Sequence, residues 1–166
     1  SVFVPTGQTG IAIAGWGISV DAVVADFVAG AAERLVVEGA RRGGELLWVE
    51  GQGSLVHPAY SGVTLGLFHG SVPHALVLCH RAGTTEVEGY PGHPLPSLAK
   101  LVRLHEEIAL RARPAKVVAV ALNTAGLDTD EAAEAVADAA RETGLPTADP
   151  VRDGAASLLD AVLSGT

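Results

Sequence analysis

Residues 45–58 read ELLWVEGQGSLVHP, and the fold is decided by how that stretch changes character partway along. Leu46-Leu47-Trp48-Val49 is a short apolar run, β-prone at its end, of the kind that makes a strand buried on both faces. It stops abruptly at Glu50-Gly51-Gln52-Gly53-Ser54, where a carboxylate, an amide and a hydroxyl are spaced by glycines. Glycine permits sharp turns and close backbone approach to a ligand. In parallel α/β sheets, ligands bind in the crevice beyond the carboxyl ends of the strands. Glu50 therefore reads as a functional carboxylate. The alternative is a strand-to-loop turn in which Glu50 caps a neighbouring helix.

The same pattern recurs elsewhere in the chain. Val2-Phe3-Val4 is a strand that ends in Pro5-Thr6-Gly7-Gln8-Thr9-Gly10, again small and amide-bearing residues between glycines. Residues 11–17 read as an apolar, glycine-punctuated connection. A helical period then places Val20, Val23, Val24, Phe27, Ala31 and Leu35 on one stripe, with Ser19 or Asp21 as N-cap and Gly39 near its end. Residues 59–70 suggest a short, glycine-loosened helix. Ala75 to Cys79 is another buried strand, ending in His80-Arg81, and a polar, proline-rich loop long enough to be a lid follows to Pro96. Ser97 caps a helix carrying Leu98, Leu101, Val102, His105 and Ile108. Val117 to Leu122 is a fourth strand, ending in Asn123-Thr124. Asp128 with Glu131 forms a capping-box pattern for a helix to Thr143, which Gly144 stops. A weak strand at residues 145–148 and a closing helix from about Asp153 complete the chain.

Strands alternating with helices define an α/β fold: a three-layer, mostly parallel sheet with helices on both faces, here as a single domain over residues 1–166. Each of the first four strands ends in polar chemistry, which singles out Gln8, Thr9, Glu50, Gln52, His80, Arg81 and Asn123, with Ser54 and His57 in the loop after the second strand. Composition bounds the rest. The 166 residues are 48% hydrophobic and 18% charged, enough for a core and against disorder. A formal charge of -8 argues against a nucleic-acid partner. A lone cysteine, Cys79, excludes an internal disulfide and suits a cytoplasmic location; continuing an apolar run, it reads as a buried small residue. No run reaches the roughly 20 apolar residues of a membrane helix. The six histidines and Cys79 lack the spacing of a metal site, so no metal ligands are assigned. The first residues read as a strand already in progress, so the chain is expected to be the carboxy-terminal part of a longer protein.

The blocks TGQTGI, DAVVADFVAGAAERLV, VEGQGSLVHPAYSGVTLGL, ALVLCHRAG and VEGYPGHPLPSL closely resemble the carboxy-terminal domain of the D-glutamate N-acetyltransferase family, formerly labelled a predicted NAD-dependent epimerase or dehydratase. The resemblance implies a P-loop NTPase-like fold similar to dethiobiotin synthetase, and acetyl transfer from acetyl-CoA to the amine of an acidic D-amino acid. It also implies a lysine-bearing Walker loop and an amino-terminal domain ahead of this segment. No GxxxxGK[ST] occurs in these residues, and no GxGxxG supports the older dehydrogenase label. Three functions follow as expectations: the acetyltransferase, an ATP- and Mg-dependent phosphotransferase or ligase, or a fragment inactive without its amino-terminal portion. Glu50 would act as general base or as Mg²⁺ ligand. His80 and His57 are candidate bases set against structural roles at strand ends. Gln8, Thr9, Gln52 and Ser54 would bond a carboxylate or phosphate, or else their own loops. Arg81 would pair with an anionic group of substrate or cofactor, or with Glu86 or Glu88. By the resemblance, Asn123 would read an adenine base; by itself it reads equally as a turn-forming Asn. A P-loop sheet without its phosphate-loop strand exposes apolar edges, so the expected partner is the amino-terminal segment or another protomer, with homo-oligomer formation.

Overall fold

In a computed structural model, which describes residues 1–165, the chain divides into two compact units, Ser1–Val72 and the part from Pro73 onward. All three strand pairings between named strands are parallel.

The first unit is built on β1 (Val2–Val4) and β2 (Leu47–Val49), paired with Val2 opposite Leu47 and Val4 opposite Val49. Alternation along a strand puts Val4, Leu47 and Val49 on one face, where they pack with Val20 and Leu35. Phe3, on the other face, is 40% exposed. β2 is thus half-buried, where the unbroken apolar run had suggested burial on both faces. The connection expected at residues 11–17 is in fact a helix, α1 (Gln8–Ala14), closed by Gly15 in the left-handed conformation that its missing Cβ allows. The long helix also begins later than its stripe suggests. Two 3-10 turns at Val20–Ala22 and Ala25–Phe27 precede α2 (Val28–Arg41), whose buried stripe is Val28, Ala32, Leu35 and Gly39. The early β-branched valines resist a regular helix, and Ser19 donates to Asp21 within its own turn. α3 (Ser61–Ser71) lies against α2. A Cβ on Gly66 would meet Val28 Cγ1 at 2.7 Å, and one on Gly70 would run into the Ala29 carbonyl. These glycines let two helices approach closely.

The second unit holds β3 (Ala75–Arg81), β4 (Lys116–Asn123) and β5 (Thr147–Ala148), in the order β3-β4-β5. α4 (Leu98–Glu107) begins at Ser97, whose hydroxyl accepts from Lys100 N, with Leu98 and Leu101 buried. α5 (Thr129–Thr143) carries the full Asp128–Glu131 capping box and ends at Gly144, φ 71°. α6 (Ala156–Gly165) packs on the sheet through Leu158 and Ala161, against Val77, Ala119, Ala121 and Ala148. The other sheet face carries Leu78, His80, Val120 and Leu122 toward α4 and α5. This unit is therefore the expected three-layer α/β arrangement. Among the described residues no helix is long and apolar enough to cross a membrane.

Candidate active site

In the first unit, β1 and β2 end side by side, so parallel pairing brings their polar tips together. Glu50 is half-buried, and its Oε2 accepts from Thr6 N at 2.9 Å and Gly7 N at 3.0 Å. Thr6, fully buried, returns a bond from Oγ1 to the Glu50 carbonyl at 2.8 Å. One carboxylate oxygen therefore secures the turn that starts α1, while Oε1 has no hydrogen-bond partner among the described residues. The two glycines of TGQTG are the floor of this cluster. A Cβ on Gly10 would stand 2.9 Å from Glu50 Cδ, and one on Gly7 3.0 Å from Gln52 Cδ. The VEGQG tip thus lies directly on the TGQTG tip, with no room for a methyl between them.

Gln8 and Thr9 sit exposed in the first turn of α1 beside this cluster. Ser54 and His57 do not join it; each is held by its own turn. Ser54 Oγ accepts from Val56 N, and His57 Nδ1 accepts from Ala59 N at 3.2 Å while its ring stacks on Tyr60 at 4.4 Å. Accepting at Nδ1 places the proton of a neutral His57 on Nε2. The half-buried Gln52 is fixed at its backbone, where its carbonyl accepts from Thr64 Oγ1 at 2.8 Å.

In the second unit, adjacent residues of β3 part ways. His80 faces an open cleft of about 410 Å³, lined also by Thr84, Ser97, Leu122, Asp138 and Glu142. Burial holds its pKa below the ordinary histidine value, and the Glu142 carboxylate pulls the other way. Glu142 itself accepts from Ala99 N in the first turn of α4 at 3.1 Å. Arg81 points to the opposite face, in register with Asn123. Both are exposed, and no carboxylate among the described residues pairs with Arg81. Asn123 Oδ1 accepts from Ala125 N at 2.9 Å, the turn-forming bond that an Asn commonly makes. Its Nδ2 donors have no partner among the described residues. Residues 84–96 fold on themselves through a Glu86–Pro94 bridge, Val87 N to His93 O, and the burial of Val87. Cys79, expected inside, is exposed, on the same strand face as Arg81.

A second buried carboxylate went unnoticed in the sequence. Asp149, 3% exposed just beyond β5, accepts from Thr124 N at 2.9 Å and from the Thr124 hydroxyl, and through its other oxygen from Val151 N at 2.9 Å and Arg152 N at 3.3 Å. Arg152 then donates to the Leu127 carbonyl at 2.6 Å and the Thr124 carbonyl at 3.4 Å. This repeats the device at Thr6 and Glu50: a strand-end threonine held by the carboxylate that follows the neighbouring parallel strand. Only the second has both oxygens engaged. The Thr124 hydroxyl and backbone donors hold the Asp149 pKa down at about 2. A depressed carboxylate stabilises the fold above its unfolded pKa of about 3.9 and loses that contribution as pH falls toward the folded value. Thermal midpoints should therefore drop between about pH 4 and pH 2, and Asp149→Asn should flatten that segment. An unchanged profile in the variant would show that Asp149 contributes nothing to acid sensitivity.

Parallel strands that alternate with helices and end in polar tips define an α/β domain. The chain belongs to the family described as "Domain of unknown function (DUF1611_C) P-loop domain", which matches residues 1–159. It is similar to a D-glutamate N-acetyltransferase from Tritonibacter scottomollicae, 44% identical over 163 residues, covering 98% of this chain and 48% of that protein. A D-glutamate N-acetyltransferase from a Pseudoalteromonas species is 39% identical over 158 residues, covering 95% of this chain and 47% of that one. The crystal structure of a DUF1611 family protein from Anabaena variabilis matches with a TM-score of 0.93 and 48% identity, covering 98% of this chain and 48% of its own. The chain spans about half the length of the curated relatives it matches.

Proposed function

We propose that this domain is the carboxy-terminal part of an N-acetyltransferase that acetylates the amine of D-glutamate with acetyl-CoA as donor. The observation that carries the reading is the pair of relatives of that name, whose identity to this chain runs over nearly all of it. The chemistry it requires is compatible with the first unit. Acetyl-CoA would supply an activated acyl carbon. Glu50, with Oε2 committed to the Thr6 and Gly7 amides, keeps Oε1 to take a proton from the substrate ammonium. The freed nitrogen lone pair would then attack the acyl carbon, the C–S bond would break with its electron pair going to sulfur, and the second nitrogen proton would pass to the departing thiolate. Gln8 and Thr9 in the first turn of α1, with Gln52 two residues beyond Glu50, would supply hydrogen-bonding groups for the acceptor. His80 is the second candidate base, half-buried at its cleft.

The alternative use of Glu50, holding Mg²⁺ for a phosphate bound in the β1–α1 turn, fits these residues poorly. The backbone donors of Thr6 and Gly7 that could cradle a phosphate already hold a carboxylate, and a second anion there would be repelled. The family's P-loop description keeps ATP-dependent chemistry as the competing reading. Thiol release from acetyl-CoA by the full-length protein separates the two. Release should require D-glutamate, favour it over L-glutamate and proceed without ATP or Mg²⁺; a requirement for ATP would favour the ligase reading.

A further inference from the structure

We propose that Arg81 and Asn123 form one subsite of unengaged donors that captures an oxyanion, either a carboxylate or a phosphate. Residues directly opposite in a parallel ladder place their side chains on the same sheet face, a strand spacing apart, and Arg81 and Asn123 are such a pair. Both are exposed at the carboxyl ends of β3 and β4, where open α/β sheets bind ligands. The guanidinium has no carboxylate partner among the described residues. Asn123 would ordinarily be ambivalent, offering an acceptor and a donor, but Ala125 N engages its Oδ1 while its Nδ2 donors have no partner among the described residues. The pair thus offers a cationic fork and unengaged amide donors, which is what an oxyanion requires.

The backbone beneath it is held. Ala82 N donates to the Asn123 carbonyl at 2.9 Å, fixing the end of β3 to the end of β4. Next along β4, Thr124 is fully buried and bound at both its amide and its hydroxyl by Asp149, with Arg152 bonding the Thr124 and Leu127 carbonyls beyond it. A surface Asn at a mobile turn would lose much of its binding contribution to ordering; this one is placed in advance. In a chain of net charge -8, a local donor pair also gives an anion somewhere to go.

The experiment is a binding titration of the full-length protein with two separate probes, D-glutamate and coenzyme A, a choice that rests on the acetyltransferase reading. Because binding is measured without turnover, failure of acetyl transfer and failure of the subsite remain distinguishable. Arg81→Ala and Asn123→Ala should each weaken the same one probe by about tenfold or more, as expected for hydrogen bonds to a charged group, and leave the other within about twofold. Which probe responds identifies the oxyanion as carboxylate or phosphate. The double variant should lose less than the product of the single losses, because both donors serve one group. Arg103→Ala, an exposed arginine on α4, serves as the control. The proposal is overturned if the two substitutions weaken different probes, if neither weakens either, or if their effects multiply independently. Unchanged melting temperatures confirm that the losses are not unfolding.

Discussion

Glu50→Gln in the full-length protein should reduce acetyl transfer to D-glutamate at least about a hundredfold, the usual size of a lost general base. The substitution is informative because of how the carboxylate is divided. Glutamine keeps an oxygen to accept from Thr6 N and Gly7 N, so the turn into α1 retains its closure and the fold its stability. It replaces the oxygen without a partner by an amide nitrogen that cannot take a proton. Activity should therefore collapse while the melting temperature stays within a few degrees. As a base, Glu50 would also leave activity unaffected by EDTA, whereas a Mg²⁺ ligand would not. Retention of most activity by the variant means that the carboxylate only closes the turn, and the chemistry is then centred on His80.

Gly10→Ala should also lower activity, by a different route. The added Cβ would stand 2.9 Å from Glu50 Cδ, a separation that real Cβ atoms essentially never show. Either α1 shifts or Glu50 leaves its two amide donors. Overpacking of this kind costs about 1–3 kcal/mol, so the variant should still fold with a lower midpoint. Its acetyl transfer should fall about tenfold or more, because a displaced base lies outside reach of the ammonium. Gly30→Ala, where a Cβ would meet nothing within 4 Å, is the matched control on α2. Equal activities in the two variants would show that the contact between TGQTG and VEGQG is dispensable.

Much of this was legible in the sequence, for identifiable reasons. The capping box at Asp128 and Glu131, the Ser97 cap and the Gly144 stop are local devices whose bonds close within a few residues, and each appears in the structure. Alternation of apolar strands with helices was enough for a parallel α/β architecture. What escaped detection depends on contacts far apart in the chain. α1 is only seven residues long and begins at a glycine with no side-chain cap, so no periodicity or cap announced it. Glu50 bonding Thr6, and Asp149 bonding Thr124, join positions 44 and 25 residues apart. Nothing in the residues between them records that meeting. Gly66 and Gly70 looked like weakness in a helix and are instead its contact surface with α2, since an absent side chain leaves no signal of what occupies its place. His80 and Arg81, adjacent in sequence, serve opposite faces of the sheet, because strand alternation separates neighbours. At Glu50, both initial readings describe the same group: one oxygen caps a turn, and the other is the proposed base.

Following the acetyl label decides whether acetyl passes from acetyl-CoA to D-glutamate. The full-length protein, given acetyl-CoA deuterated in its acetyl group and D-glutamate, without ATP, should yield N-acetylglutamate carrying the label by mass spectrometry, with little product from L-glutamate. Absence of labelled product, or product formed only when ATP and free acetate are supplied instead, would contradict it.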